Sequence, residues 1–556
     1  MKCRLVSKLY SNHLIRNGQI IKTNLKFKST YHSYASTNAF SKLVLDYLAD
    51  EPNLKDFYTH QPTKEGVEEA IKIRKKNKIN RSLLVDEMKK SYQAVPLHEK
   101  VSDNINALAN ENTFTVCTAH QPNIFTGHLY FIYKIIHAIK LADELNKNTT
   151  GLHFVPVYYM GSEDADLNEL GEIMLNGKQY RWETNQKGAV GRMKVDKLFI
   201  TLIDRLSIEL LASPYGEELV KIIRVAYVEG VTIERATLNL VNELFGKFGL
   251  LIFLSDNKAF KKEFKAVIED ELFNQFSNKL VNETIDLFPK EFTIQAKGRL
   301  INLFYLKDNI RERIEQSDSG YSIVDKDIHF SREEIKAEID SHPERFSPNV
   351  ILRPLFQEMM LPNVAFVGGG GELAYWLELK SIFSQKQVPY PVLFLRNSFL
   401  IIEKKYTQAL EKFSLSPIDL FEHENILIDK VLARFSKNEL LLSAEKIRLK
   451  ELYYDINKKA AIIDKSLVMH VEALFAKSVK KIEALEKKIK KAEKRKFESE
   501  INELIELKQA LFPDDTLQER KENILQYYNQ FGTSFIDELY TLSKVMDHEF
   551  CIMSEV

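Results

Sequence analysis

The sequence predicts an α/β protein: a parallel sheet in the longer N-terminal part and an α-helical coiled coil in the remainder. Three observations lead there. Short apolar, β-rich runs recur between amphipathic helical stretches, the pattern of strands joined by crossover helices. The runs end at polar or glycine clusters, where a parallel sheet places its ligand crevice. From about residue 405 the chain becomes highly charged and its apolar residues follow a heptad.

The elements follow in order. Phe40 to Ala49, with Leu43, Leu45 and Leu48, reads as an amphipathic helix, and residues 64 to 110 as further charged helix. TFTVCTA begins the first strand, which ends at His120. A Pro-Asn loop follows, then Gly127 and the apolar-periodic helix HLYFIYKIIHAIKLADEL, so strand, loop and helix open a βαβ unit. HFVPVYYMG (153–161), LLIFLSD (250–256), VAFVGGGG (364–371) and PVLFLRNS (391–398) supply the other strands. The long gap from 257 to 350 requires an inserted subdomain. Ile482, Leu485, Ile489 and Ala492 form the heptad, resumed at Ile501, Leu504 and Leu511. Pro513-Asp514-Asp515 breaks that helix, and a return helix is expected near Leu517 to close a hairpin suited to dimerisation. The reading in domains is a basic extension over 1–38, a core over 39–404 and a helical coiled-coil domain over 405–556.

Bulk properties exclude several classes. Lys plus Arg and Asp plus Glu both total 78, which argues against nucleic acid as the main partner. Between 480 and 496 nine Lys or Arg face three Glu, which the heptad marks as the solvated side of a coiled coil. No apolar run approaches the roughly 18 to 20 residues that span a bilayer. Cys3, Cys117 and Cys551 lie far apart without a CxxC, so neither a disulfide framework nor a cysteine-based metal site is expected, and a cytoplasmic, reducing location fits. Residues 1 to 45 contain no Asp or Glu, which fits either an organelle transit peptide or a disordered extension with no bearing on the fold.

Three constellations could carry chemistry. In HQPNIFTGH (120–128), His120 and Gln121 at the strand end would face Gly127 and His128 at a helix start, where free N–H groups favour an anion. An ordinary loop with surface histidines explains the same residues, and neither GxGxxG nor GxxxxGKS is present. In MGSEDADLNEL (160–170), Glu163, Asp164 and Asp166 could hold an amine, ribose hydroxyls or a metal, or could simply cap the next helix. Calcium spacing is absent, and no metal is expected. In VAFVGGGGELAYW, Gly368, Gly369, Gly370 and Gly371 precede a helix starting near Glu372. Such a glycine run is entropically costly, so close approach of a ligand is the stronger reading, with Glu372, Tyr375 and Trp376 on the first turns able to line the crevice, unless the two aromatics are core residues. Cys117 lies inside an apolar strand and reads as buried rather than reactive.

Taken together, FSKLVLDYL, TAHQPNIFTGHLYFIYKIIHAIKLA, VPVYYMGSEDADLNEL, LFGKFGLLIFLSD, SPNVILRPLFQEMMLPNVAFVGGGGELAYWLELK, PVLFLRNS, LEKKIKKAEKRK and LFPDDTLQER resemble the cysteine-adding enzyme family of bacillithiol biosynthesis. The resemblance runs from about residue 39 to the C-terminus. It implies a Rossmann-like, nucleotidyltransferase-type core with connecting subdomains, similar to class I aminoacyl-tRNA synthetases, and a coiled coil that makes a homodimer. In such relatives an HxGH motif at the first strand–helix junction binds ATP phosphates. Here His120 and Gly127-His128 stand at that junction with longer spacing. The chain departs from the family pattern at His128, where Pro is expected, and at Ala165, where His is expected.

The implied reaction joins the carboxylate of cysteine to the amine of glucosaminyl-malate as an amide, with ATP as the activating cofactor, by analogy through cysteinyl-adenylate. On that reading His120, Gly127 and His128 hold phosphate or carboxylate, Glu163 and Asp164 orient an amine, and the glycines with Glu372 cradle sugar or nucleotide. Two other readings stay open: a ligase for another amine on the same core, and a coiled-coil scaffold without catalysis.

Overall fold

The computed structural model describes residues 13–16, 19–22, 26–317, 320–436 and 441–556. The chain forms two compact units, one of residues 1–400 with 517–553 and one of 401–516 with 554–556.

The first unit is built on five parallel strands: β1 (Thr113–His120), β2 (His153–Met160), β3 (Leu251–Leu254), β4 (Asn363–Gly368) and β5 (Val392–Leu395). Their spatial order is β5-β4-β1-β2-β3, and every neighbouring pair is parallel. Every residue of β1 and β4 is buried, as expected of strands covered on both faces; in β1 the buried Thr115 and Thr118 hydroxyls bond to Asn363 and to the Val367 carbonyl. Helix α1 (Leu129–Asn148) links β1 to β2 and buries most of its length, including Lys134 and His137. From β1 the chain moves outward to β2 and β3, then returns across the sheet to β4 on the other side of β1. That reversal is a topological switch point, and the crevice beyond the strand ends lies between β1 and β4. Helix α2 (Gly370–Leu377) follows β4 directly.

The gap between β3 and β4 contains helices from Lys258 to Leu287 and a five-stranded antiparallel sheet. Its strands Leu303–Lys307 and Ile310–Ser317 carry Arg311 toward the strand ends of the main sheet. The insertion required by the sequence spacing is therefore a subdomain in its own right.

One boundary needs correction. The extension expected over 1–38 is ordered structure from Phe27 onward. Phe27–Ser33 is a strand in a three-stranded sheet with Glu549–Glu555 and Phe399–Ile402. Phe27 packs edge-on against Phe531 at 5.2 Å, and the buried Tyr34 donates its hydroxyl to the Arg396 carbonyl at 3.2 Å. Residues 1–12, 17–18 and 23–25, Cys3 among them, lie outside the described residues. Within the stretch read as the helical domain, residues 517–553 pack as part of the first unit. The reason is apolar content: Tyr527 stacks on Phe535 at 5.0 Å, Leu539 is fully buried, and Phe550 to Met553 form a buried strand.

The second unit contains α3 (Ser443–Ile463), α4 (Leu467–Lys496) and α5 (Glu498–Leu511). The hairpin is not the one expected. Helix α4 folds back on α3 through a turn at 464–466, with Lys446 on Glu486 at 2.8 Å and Tyr453 bonded to Ser478 at 2.9 Å. The helices after Leu517 belong to the first unit, so the Pro513 break ends the hairpin region rather than turning it. Ile501, Leu504 and Leu511 are buried, whereas Leu485 is 51% exposed and α3 buries no residue.

Candidate active site

A cavity of about 700 Å³ opens at the carboxyl ends of β1, β2 and β4. From the sequence reading, His120, Gln121, Glu163, Asp164 and Tyr375 line it, together with Gly369, Gly370, Gly371 and Glu372. Gly127, His128, Asp166 and Gly368 do not.

Each of those four has a structural task. Gly127 has φ +63°, and a Cβ there would lie 2.7 Å from the Asn123 side chain. Its carbonyl and that of Phe125 accept the Asn523 amide at 2.5 and 2.9 Å, so neighbours occupy the space a ligand would need. The His128 ring meets the Lys521 carbonyl through Nδ1 at 3.2 Å. Asp166 caps the short helix Leu167–Leu170 by accepting from the Glu169 N–H at 3.2 Å, which bears out the capping alternative for that residue. Gly368 closes β4, and its carbonyl accepts the Arg396 N–H at 2.8 Å.

The residues that do line the cavity form two walls. On the β2 side, Glu163 is buried and its carboxylate pairs with the Lys261 ammonium at 2.6 Å. Burial and then the nearby Asp256 raise its pKa, while Lys261 opposes the rise. Lys261 has no exposed surface and also donates to the Phe346 carbonyl at 3.1 Å. The ammonium expected against Glu163 is thus supplied by the protein itself. Asp164 is the more accessible carboxylate: it accepts from Gln121 at 3.2 Å and lies 3.9 Å from Arg311. Glu169 joins it in the lining, its pKa raised by burial and by Asp166 and Asp164.

The β1–β4 side is cationic. Lys134 pairs with Glu372 and donates to the Ala119 carbonyl at 3.1 Å, while Glu372 accepts the Gly369 N–H at 2.9 Å. This chain of bonds ties the start of α2 to α1, so Glu372 is a brace rather than a free carboxylate. Arg353 donates to the Tyr375 hydroxyl at 2.8 Å and to Gln357 at 3.1 Å. Arg396 pairs with the fully buried Glu519 at 2.5 Å, but its buried Nε has no partner. A Cβ on Gly369 would lie 3.6 Å from that Nε, and a Cβ on Gly371 would meet nothing within 4 Å. The N–H groups of Gly370 and Gly371, in the first turn of α2, have no carbonyl within the helix. His120 is buried with Nε2 unpartnered; burial, then Lys134, His128 and Arg396, hold its pKa well below the ordinary value, so the imidazole is neutral at pH 7.

Sequence reading missed the cations. Arg353 and Arg396 sit in stretches that were singled out, and Lys134 is the first charge in a helix whose opening turns are otherwise mostly apolar, which is a usable signal. Arg520 and Arg311 reach the cavity from distant segments and carry no local signal. Among the described residues, no group of three or more His, Cys, Asp or Glu side chains is arranged to hold a metal ion, and no helix is long and apolar enough to cross a membrane. Cys117 and Cys551 are free and buried, and burial raises both thiol pKa values.

Comparison with known proteins agrees with this architecture. Residues 27–397 match the family model "Bacillithiol biosynthesis BshC, N-terminal Rossmann-like domain", and residues 399–555 match its "C-terminal coiled-coil domain". A Flavobacterium psychrophilum protein named "Putative cysteine ligase BshC" is 40% identical over 512 residues, covering 91% of this chain and 96% of the relative. A protein of the same name from Flavobacterium johnsoniae is 39% identical, covering 94% and 99%. One from Cytophaga hutchinsonii is also 39% identical, covering 90% and 94%. The Rossmann-like core with a coiled-coil region, matched along nearly its whole length, places this chain in the BshC family of bacillithiol biosynthesis.

Proposed function

We propose that this protein is a ligase that joins L-cysteine to the amine of glucosaminyl-malate through an amide bond. The observation that carries the reading is the two-walled cavity. One wall presents Asp164 and Glu169, which suit ammonium groups; the other presents cations and free N–H groups, which suit carboxylate or phosphate. Both substrates combine an amine with carboxylate, and the reaction brings the amine of one to the carboxylate of the other. The names of the relatives support cysteine as a substrate.

A carboxylate is a poor acyl donor, and ATP is the proposed activator. The residues present fit it: the Arg396 Nε is orphaned, the glycines leave open space, and His120 offers an unpartnered Nε2. Gly369 to Gly371, Arg396 and His120 would hold the nucleotide, whose chemistry is to carry away the carboxylate oxygen. The protein's own task is to bring the sugar amine forward without its extra proton. Asp164 is placed for that proton, since Glu163 is committed to Lys261 and Glu372 to Lys134. Arg353 holds Tyr375 in place, and the brace from Lys134 through Glu372 to Gly369 fixes the start of α2.

The reading extends to assembly and place. The hairpin of α3 and α4 leaves Ile447, Leu452, Ile462 and Ile463 exposed, and a second copy of this chain is the occupant proposed for that surface. A thiol-making reaction with buried, unpaired cysteines suits the cytoplasm. Neither nucleic acid nor membrane has a part in the reading.

The test is direct. Protein, cysteine, glucosaminyl-malate and ATP are incubated, and the mixture is read by mass spectrometry. A product with the summed mass of cysteine and the acceptor less one water is expected. Absence of that product overturns the assignment, and equal product without ATP removes ATP from it.

A further inference from the structure

The cations of the cavity differ in how far the protein already neutralises them. Lys134 is paired with Glu372 and Arg396 with Glu519, while Arg311 lies 3.9 Å from Asp164 and Arg353 is held by the uncharged Tyr375 and Gln357. The Arg520 side chain has no hydrogen-bond or ion-pair partner among the described residues, yet it is exposed in the lining of the cavity. Its backbone is firmly set. Glu519, immediately before it, is fully buried and accepts from Arg396 at 2.5 Å and from the Ser398 hydroxyl at 3.3 Å. Asn523, three residues on, is pinned to the Phe125 and Gly127 carbonyls. A segment anchored on both sides thus delivers one free guanidinium into the site.

Tyr130 stands in the same lining. Its ring is approached by Arg396 at 5.6 Å and by Lys134 at 5.7 Å, two buried cations that fix its position. Its hydroxyl has no hydrogen-bond partner among the described residues. Burial pushes its pKa up to about 12, with Glu169 and Glu372 adding to the rise and Arg396 and Arg520 opposing it, so it remains a donor at pH 7. A planar guanidinium and a hydroxyl donor in the lining of one cavity suit a carboxylate, because the guanidinium offers two parallel N–H groups.

We infer that Arg520, with the Tyr130 hydroxyl, binds a carboxylate of the malyl group and so selects an anionic amine over an uncharged one. The inference rests on the acceptor proposed above and adds the residue that recognises it. Arg520 lies in the segment that returns to the first unit after the helical hairpin, so this subsite requires the full chain.

The experiment uses the full chain and two amines, glucosaminyl-malate and methyl glucosaminide, each with cysteine and ATP. The selectivity, taken as the ratio of the two kcat/KM values, should fall about 10- to 100-fold in R520Q, the worth of one hydrogen-bonded charge. The change should appear mainly in KM for glucosaminyl-malate, with a smaller fall in Y130F and partial recovery in R520K. An unchanged ratio in R520Q, at an unchanged melting temperature, overturns the inference. Should the wild-type chain form no amide from either amine, the acceptor reading fails, and calorimetric titration with malate and with inorganic phosphate still decides the subsite. Malate binding that R520Q abolishes supports it; malate binding that survives, or a loss confined to phosphate, overturns it.

Discussion

Two glycine-bearing loops look alike in the sequence and do opposite work in the structure. The loop after β1 carries Gly127, and the loop after β4 carries Gly368 to Gly371; each joins a strand end to a helix start at the switch point. Around Gly127 the space is full. Phe125, Thr126 and Gly127 all have positive φ, with Asn123 packed beneath and Asn523 bonded above. Around Gly371 the space is empty. The same division separates two adjacent carboxylates, since Glu163 is sealed onto Lys261 while Asp164 faces the cavity. A motif read as functional therefore resolves into scaffold residues, which hold the strand ends, and receptor residues, which the scaffold leaves uncovered.

The largest test of that division is Lys261→Met. Removing one member of a buried ion pair leaves the other uncompensated, at a cost of about 3 to 5 kcal/mol. The first unit should lose that much in denaturant unfolding, and the double variant K261M/E163Q should regain most of it, because no charge is then stranded. A loss in K261M below about 1 kcal/mol would place Glu163 among the solvated carboxylates and dissolve the contrast with Asp164.

Gly127→Ala comes next. Only glycine adopts φ +63° with ψ −137° at little cost, and the added methyl would lie 2.7 Å from Asn123. About 3 kcal/mol of destabilisation is expected from the two effects together. The informative measurement pairs the melting temperature with activity per folded molecule. A scaffold role lowers the first and spares the second; loss of turnover at unchanged stability would return the β1 loop to the ligand site.

The strands were legible because each is a short run rich in apolar and β-branched residues without charges, a composition that burial on both faces favours whatever the topology. Their ends were legible for a related reason: polar residues right after a buried strand have to face something. Partnership across the chain was not legible. Glu163 reads as a free acid until Lys261 is seen beneath it, and nothing near Arg520 in sequence places it at a strand end some hundred and more residues away. The strand Phe27–Ser33 escaped notice because FKSTYHS has little apolar content and lies in a basic, acid-free stretch. The hairpin was misassigned because α3 has no covered apolar stripe of its own to mark it as the partner of α4.

The smallest effect on stability, and the sharpest on function, belongs to Gly371→Ala. Gly371 is the second residue of α2, its φ lies outside the left-handed region, and its added methyl would meet nothing within 4 Å. In a helical first turn Ala is preferred to Gly, so the unfolding free energy should change by no more than about 1 kcal/mol, in the stabilising direction. The same methyl would stand where a ligand approaches the free N–H groups of that turn. KM for ATP should therefore rise while the protein becomes no less stable, the mirror image of Gly127→Ala. Unchanged KM in G371A would mean that the open space above α2 is solvent rather than receptor, and the nucleotide would have to be sought along the Arg353–Tyr375 side of the cavity.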